Sequence, residues 1–140
     1  MELAEKILDV VRGTHVAAVA TVGDRGAPAV RHMMLTGFDD LMLVGGARAD
    51  SDTVAQLRRT PYASIAIWSE KEFTDPYVQM QVMGGVHEDR ETKLKYWSPM
   101  WEQYFGSVEN PEFVVLVFRP DLIEYYDPKA LVTPEVWRRP

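Results

Sequence analysis

Apolar and polar positions alternate on both sides of a glycine-bounded turn near the start of the chain. The turn is Gly23-Asp24-Arg25-Gly26, and the runs beside it predict strands at about 15–22 and 27–36. Glycine at both edges is expected to supply the positive φ of a tight reversal. A fully apolar run at 41–46 follows a second turn and predicts a third strand. The three segments together predict an antiparallel meander.

In the rest of the chain, segments whose apolar residues have helical spacing alternate with segments that have the pattern of strands. Helical spacing predicts helices over 2–12 and 52–59 and another from about 89, which Pro99 should break at Ser98. Apolar runs predict further strands at 62–68, 77–86 and 112–118, with 123–126 extending or following the last one. Gly84-Gly85 predicts a bulge or a sharp bend. Six strands with helices at the edges predict an α+β fold, a small antiparallel barrel with peripheral helices. We expect one domain over 1–127 and, because the end of the chain is rich in proline, an extended tail over 128–140.

Composition and charge exclude several classes of function. The formal net charge of the 140 residues is −6, which disfavours general binding to nucleic acid or to anionic membranes. There is no cysteine, so disulfides, thiolate metal sites and a thiol nucleophile are excluded. No signal peptide and no apolar span long enough for a membrane helix is evident, so a cytoplasmic protein is expected. No metal-binding pattern and no catalytic residue can be assigned.

Arg31 is the candidate functional residue that the pattern itself singles out. It lies with His32 in the middle of an otherwise apolar strand, where a cation is costly unless an anionic group meets it. That group can be a carboxylate of the protein or a phosphate of a ligand. Three aspartates are candidate partners for this guanidinium: Asp39, Asp40 and Asp50.

Four segments of the chain resemble one known family. They are the first hairpin with its Pro28-Ala29-Val30-Arg31-His32-Met33-Met34 arm, the helix that Ser51 begins and Thr60-Pro61 ends, the Gln79-Met80-Gln81-Val82-Met83-Gly84 strand, and the Tyr96-Trp97-Ser98-Pro99-Met100-Trp101 segment with the later Glu124-Tyr125-Tyr126-Asp127. Their order and spacing resemble the FMN-binding split-barrel family of pyridoxamine 5′-phosphate oxidase-like proteins, in particular its small general-stress-protein type. The resemblance spans about residues 3–127.

The resemblance implies a homodimer of split barrels with FMN in a groove between them. It implies that Arg31 meets the flavin phosphate, that His32 and Met33 face the isoalloxazine, and that Gln79 touches the flavin ring. Ser51 and Thr53 fall where the family uses a serine and a basic residue at a helix start. The ordinary alternatives are that His32 and Gln79 are strand residues without a ligand, and that Trp97 and Trp101 are core or dimer contacts.

The chain departs from the family pattern around the phosphate. Better-equipped members carry lysines where this chain has Thr36 and Thr53, and Asp50 and Asp52 crowd the helix start, although Arg48 can compensate from the loop. The resemblance implies FMN as the cofactor, while these charges leave weak binding, another flavin or a deazaflavin, and no cofactor as alternatives.

Two functions follow from these expectations. One is an FMN-dependent oxidoreductase acting on an unidentified small molecule. The other is a non-catalytic dimeric split-barrel binding protein with weak or lost flavin affinity. The composition also favours a homodimer. Four Trp, six Tyr and seven Met have more apolar surface than one compact core can readily bury.

Overall fold

The chain folds into a closed antiparallel barrel flanked by four short helices. A computed structural model describes residues 1–69 and 71–140. The elements along the chain are α1 (Leu3–Val11), β1 (Gly13–Val22), β2 (Pro28–Gly37), β3 (Leu43–Arg48), α2 (Asp52–Arg59), β4 (Tyr62–Trp68), β5 (Tyr77–His87), α3 (Arg90–Tyr96), α4 (Pro99–Phe105), β6 (Phe113–Tyr126) and β7 (Glu135–Arg138).

The strand order explains how the barrel closes. The strands lie in the order β3-β2-β1-β4-β5-β6-β7, and an additional pairing of β3 with β6 closes the first six of them into a ring. The predicted α+β fold with a six-stranded antiparallel barrel is thus confirmed. Within the predicted tail, β7 pairs with the second half of β6, a strand that the sequence analysis did not predict.

The core is built from the side chains that alternate into the barrel. In β4, Ile65 and Ile67 are buried while Ala66 and Trp68 are exposed, because successive strand residues point to opposite faces. Helices α1 and α2 add their apolar faces to the same core, which includes Ile7, Val11, Val54, Leu57, Met80, Leu116 and Phe118. No helix in the described part of the chain is long and apolar enough to cross a membrane.

The helix ends form as their capping residues predict. The Ser51 hydroxyl accepts a hydrogen bond from the Val54 amide at the start of α2. The predicted break of the later helix is confirmed, since Ser98 begins α4 by accepting from the Met100 amide and Pro99 occupies the first helical turn.

The bulge predicted at Gly84-Gly85 is wrong, and the positive φ predicted for the turn glycines is confirmed only at Gly26. The irregularity between β5 and β6 lies at Gln81 and Val82, not at Gly84-Gly85, because β6 carries an extra residue there. Gly84 instead allows close packing, since a Cβ on it would lie 3.0 Å from side-chain atoms of Leu57 and Phe118. In the first hairpin the positive φ angles belong to Arg25 and Gly26, whereas Gly23 is extended.

The barrel opens along one line, between β2 and β3. These strands pair only at Thr36 with Val44 and at Gly37 with Leu43. Beyond that point β3 remains paired with β6 as far as Arg48, while β2 continues away along β1. The two strands therefore diverge, and their facing edges form the sides of an opening.

Replacing a buried core phenylalanine should test how much the barrel depends on its interior. Phe118→Ala removes a fully buried ring and should lower the free energy of unfolding by about 3–5 kcal/mol, because it leaves a cavity. Phe73→Ala is the matched control, since Phe73 is 91% exposed, and should change stability by less than about 0.5 kcal/mol. Urea unfolding followed by circular dichroism measures both, and similar losses for the two variants would contradict this packing.

Candidate functional site: a cleft at the split of the barrel

An open cleft of about 540 Å³ lies where β2 and β3 diverge. We call it the split cleft and define it by its lining residues. These are His32, Met33 and Met34 of β2, Gly46 and Arg48 of β3, and Met100, Trp101, Tyr104 and Phe105 of α4.

The strand edges that border the split cleft carry backbone groups without a strand partner on that side. In the described residues, β2 has no strand pairing toward β3 before Thr36. Half of the backbone N–H and C=O groups along such an edge point away from the paired neighbour and stay available for another partner. At the apex of the cleft the strands approach closely, and a Cβ on Gly45 would lie 3.1 Å from the Met34 carbonyl oxygen.

Helix α4 forms the opposite wall with aromatic side chains. Trp101 is buried and packs against Phe113 with ring centroids 5.2 Å apart. A Cβ on Gly46 would lie 3.0 Å from the indole nitrogen of Trp101, so the absent side chain lets the wall come close to β3. Tyr104, three residues further, is 74% exposed and contributes to the mouth of the cleft. Trp101 thus belongs to both the core and the cleft wall, whereas Tyr104 lies only at the mouth of the cleft.

Three predicted site residues meet in the split cleft. His32, Met33 and Arg48 all line it, the first two from β2 and the third from β3. Met33 gives the cleft an apolar, polarisable surface, and Arg48 places one positive charge at its edge.

Arg31 lies beside this group but points to the inner side of β2. Its Nη1 donates to the Thr21 hydroxyl at 2.7 Å and to the carbonyl oxygens of Val19 and Ala29, both at 3.2 Å. Its Nη2 donates to Gln56 Oε1 of α2 at 3.1 Å, and the Thr21 hydroxyl donates to the same oxygen. The guanidinium therefore ties β2 to β1 and α2 through neutral oxygens.

None of the aspartates considered as partners of Arg31 pairs with it. Asp39 pairs with Arg12, Asp40 accepts from the Met42 amide, and Asp50 pairs with Arg48. Across residues 1–69 and 71–140, no carboxylate lies within ion-pair distance of the Arg31 guanidinium. Burial lowers the pKa of Arg31, and the charge of Asp52 acts in the opposite direction. Arg31 is thus a half-buried cation without a contact counter-ion.

The start of α2 gathers the other predicted phosphate contacts, and most are already engaged. The Ser51 hydroxyl caps the helix, and Thr53 is buried. Arg48 donates from Nε to Asp50 at 3.1 Å and lies 3.6 Å from Glu112. The hydrogen bond between them raises the pKa of Arg48 and lowers that of Asp50.

Gln79 is not part of the split cleft of its own chain. It lies on the outer face of β5, in a row that runs from His32 through Ala18 and Ala66. Three strand spacings separate the ends of that row, which is about 14 Å. Gln79 could therefore join the cleft only from a second copy of the chain.

Sequence reasoning missed several residues of the cleft wall. Gly46, Tyr104 and Phe105 were not singled out as site residues, since nothing in the sequence says that α4 packs across β3. The Gly45-Gly46 pair within an apolar strand was the available signal, because strand glycines often mark a close approach.

Comparison with known proteins identifies the family. The profile described as "Pyridoxamine 5'-phosphate oxidase" matches residues 3–127, so the chain belongs to that family. It is 26% identical over 121 residues to "General stress protein 26" of Bacillus subtilis (strain 168), an alignment that covers 86% of this chain and 85% of that protein.

Two solved structures share the fold. One is General Stress Protein 26 from Bacillus anthracis str. Sterne, with a TM-score of 0.82 and 23% identity over 99% of this chain and all of that one. The other is a pyridoxamine 5'-phosphate oxidase-related, FMN binding protein from Nostoc punctiforme PCC 73102, with a TM-score of 0.72 and 18% identity, covering 90% of this chain and 81% of that one.

Removing the Thr21 hydroxyl should test the Arg31 network. Thr21→Val leaves the half-buried Arg31 and Gln56 groups short of one partner, so the free energy of unfolding should fall by about 1–3 kcal/mol. Thr14→Val on the same strand removes a hydroxyl that bonds Thr36 in an exposed position and should cost less than about 0.5 kcal/mol. Chemical denaturation of both proteins makes the comparison, and equal stabilities of the two variants would show that the network adds nothing.

Proposed function

We propose that this chain is a flavin-dependent oxidoreductase that binds FMN in the split cleft and acts as a homodimer on a small-molecule substrate. The observation that carries the proposal is the cleft itself. It combines methionine and aromatic walls, an open strand edge and a flanking cation, and its volume is about 540 Å³.

The ring portion of a flavin fits this lining. An isoalloxazine is planar and largely apolar, with polar atoms around its edge. Met33, Met34 and Met100 supply polarisable surface for the ring faces, and the β2 edge supplies backbone donors and acceptors for the ring's polar edge.

The phosphate portion fits less well. Arg31 and Arg48 supply two positive charges, while Asp50, Asp52 and Glu112 supply three negative ones. A phosphate would have to compete with the carboxylates that Arg48 already pairs with.

The chain's own contribution to the reaction would be binding, orientation and exclusion of water. A bound flavin supplies hydride transfer between a donor and an acceptor, so no side chain need act as an acid or base. His32 is the titratable group that lines both the cleft and the outer face, which suits a role in orienting the ring or the substrate.

The outer face of the sheet supports the proposed homodimer. Val16, Met34 and Trp68 are each at least 40% exposed there. Small residues lie between them and form a shallow hollow of about 330 Å³. Burying such a face against its two-fold copy would remove apolar area from water and bring Gln79 of one copy toward the cleft of the other.

The second candidate function is a non-catalytic dimeric split-barrel protein that binds a ligand but holds flavin weakly. The acidic surroundings of Arg31 and Arg48 favour it, because they oppose a dianionic cofactor. It differs from the first candidate in one measurable property, the retention of flavin.

The visible spectrum of the protein after incubation with FMN and gel filtration tests the proposal. We expect flavin bands at about one equivalent per chain at saturating FMN. A colourless protein that also ignores riboflavin and a deazaflavin would overturn the oxidoreductase and leave the second candidate.

Truncating the exposed tyrosine of the cleft wall should weaken flavin binding. Tyr104→Ala should raise the dissociation constant of FMN by about 2–10-fold, the range expected for one aromatic stacking partner. Tyr62→Ala is the matched control, because Tyr62 is 64% exposed and does not line the cleft. Quenching of flavin fluorescence measures both, and a larger effect at Tyr62 would contradict the location of the site.

A charge on the outer face should separate the proposed dimer. Ala66→Arg places a cation in the middle of the apolar face and should shift the protein from about twice the chain mass of 16.0 kDa toward the monomer, because the charge would be buried unpaired. Ala55→Arg on the exposed side of α2 should leave the mass unchanged. Size-exclusion chromatography with light scattering gives both masses, and a monomeric parent protein would refute the homodimer.

A further inference from the structure

We infer that Lys93, a residue of α3 that does not line the split cleft, is a positioning residue for it. Through Asn110 and Phe113 it holds helix α4 where that helix forms the aromatic wall of the cleft. The inference goes beyond the proposed function, because it concerns the wall itself, whichever ligand the cleft binds.

Lys93 is buried without an acidic partner. Only 5% of the residue is exposed, and lysine is seldom buried to this degree unless its charge is paired. In residues 1–69 and 71–140, no carboxylate lies within ion-pair distance of its Nζ. Nζ instead donates to the backbone carbonyl oxygen of Asn110 at 3.3 Å and lies 5.4 Å from the centroid of the Phe113 ring. Both contacts are with the segment that follows α4.

Asn110 fastens the C-terminal end of α4. Phe105 is the last residue of that helix and lines the cleft, and its carbonyl oxygen has no partner within the helix. The Asn110 side-chain amide donates to this oxygen at 2.9 Å. Gly106, with a φ of +80°, ends the helix and lets the chain turn back toward Asn110. The residue that Lys93 bonds is therefore the one that ties down the end of the wall.

Phe113 is the apolar counterpart of Asn110. Its ring centroid lies 5.2 Å from that of Trp101 and 4.6 Å from that of Phe105, and both of these side chains line the cleft. Within the described residues, the apolar side chains of α4 pack in this small cluster and not in the core of the barrel. The place of the wall therefore depends on Phe113 and Asn110, the two residues that Lys93 contacts.

A segment with a small core of its own can open while the rest of the protein stays folded. Helix α4 has only seven residues, and a helix this short is not stable without tertiary contacts. Removing the Lys93 amine takes one hydrogen bond and one cation–π contact from the cluster that supplies those contacts. The barrel core, which includes Ile65 and Met80, loses nothing. The wall should therefore respond to this change while the barrel does not.

Hydrogen exchange of the full-length protein without added ligand tests the inference. Lys93→Met removes the amine and keeps most of the aliphatic length. We expect the backbone amides of α4 to exchange at least about fivefold faster, while those of β4 and β5 keep the rates of the parent protein. Lys95→Met is the matched control, because Lys95 is an exposed lysine of the same helix, and it should change neither set. Unchanged exchange in α4, or equal acceleration throughout the barrel, would overturn the inference.

Asn110→Ala supplies a second variant, which decides the question if Lys93→Met does not fold. It leaves the buried amine in place but removes the side-chain bond to Phe105. The amides of α4 should again exchange at least about fivefold faster than in the parent. Exchange at the parental rate would show that this end of the wall is not held by Asn110, and would refute the inference.

Fluorescence titration with FMN connects the wall to binding. Both variants should raise the dissociation constant of FMN by about 3–10-fold, because wall contacts weaken when α4 loosens, and Lys95→Met should leave it unchanged. An unchanged constant in a variant whose α4 has loosened would overturn the positioning role. A parent protein that does not bind FMN would overturn the proposed function, and the exchange rates would then decide the inference alone.

Discussion

The shape of the barrel and of its cleft depends on the short pairing between β2 and β3, which separate after two residue pairs. β3 pairs with β2 at two positions and with β6 at six, so the barrel closes through β6 while the edge of β2 is left open. A strand edge of this kind is normally covered, because its backbone groups need partners. Here α4 lies across the gap without pairing with it, and the space between them is the split cleft. The position of the cleft is thus a consequence of how the barrel closes.

The same parting explains why a cation lies inside β2. A strand that has lost one neighbour is held mainly by the other, and Arg31 adds hydrogen bonds in the part of β2 that does not pair with β3. Its bonds reach Val19 and Thr21 on β1 and Gln56 on α2. The partners are neutral, so the charge is solvated by oxygens and is not neutralised by a carboxylate. Arg31 therefore serves the fold whether or not a ligand is present.

The sequence predicted the barrel well because its strands alternate strongly and its helices carry clear caps. Ser51 and Ser98 each mark a helix start that the structure contains. The short β7 was missed, because its four residues lie in a proline-rich tail and depend on pairing with β6. The site was harder to predict. Alternation puts His32 and Arg31 on opposite faces of β2, but the role of Gln56 depends on the packing of α2, which local patterns do not encode.

The two faces of β2 separate residues that the resemblance had assigned to one site. On the outer side His32 and Met34 border the open space of the cleft. On the inner side Arg31 donates from Nη1 and Nη2 to four oxygen atoms. Met33 lines the cleft from that same inner side, because alternate residues of a strand share a face. The cleft and the Arg31 ties therefore share one segment of β2.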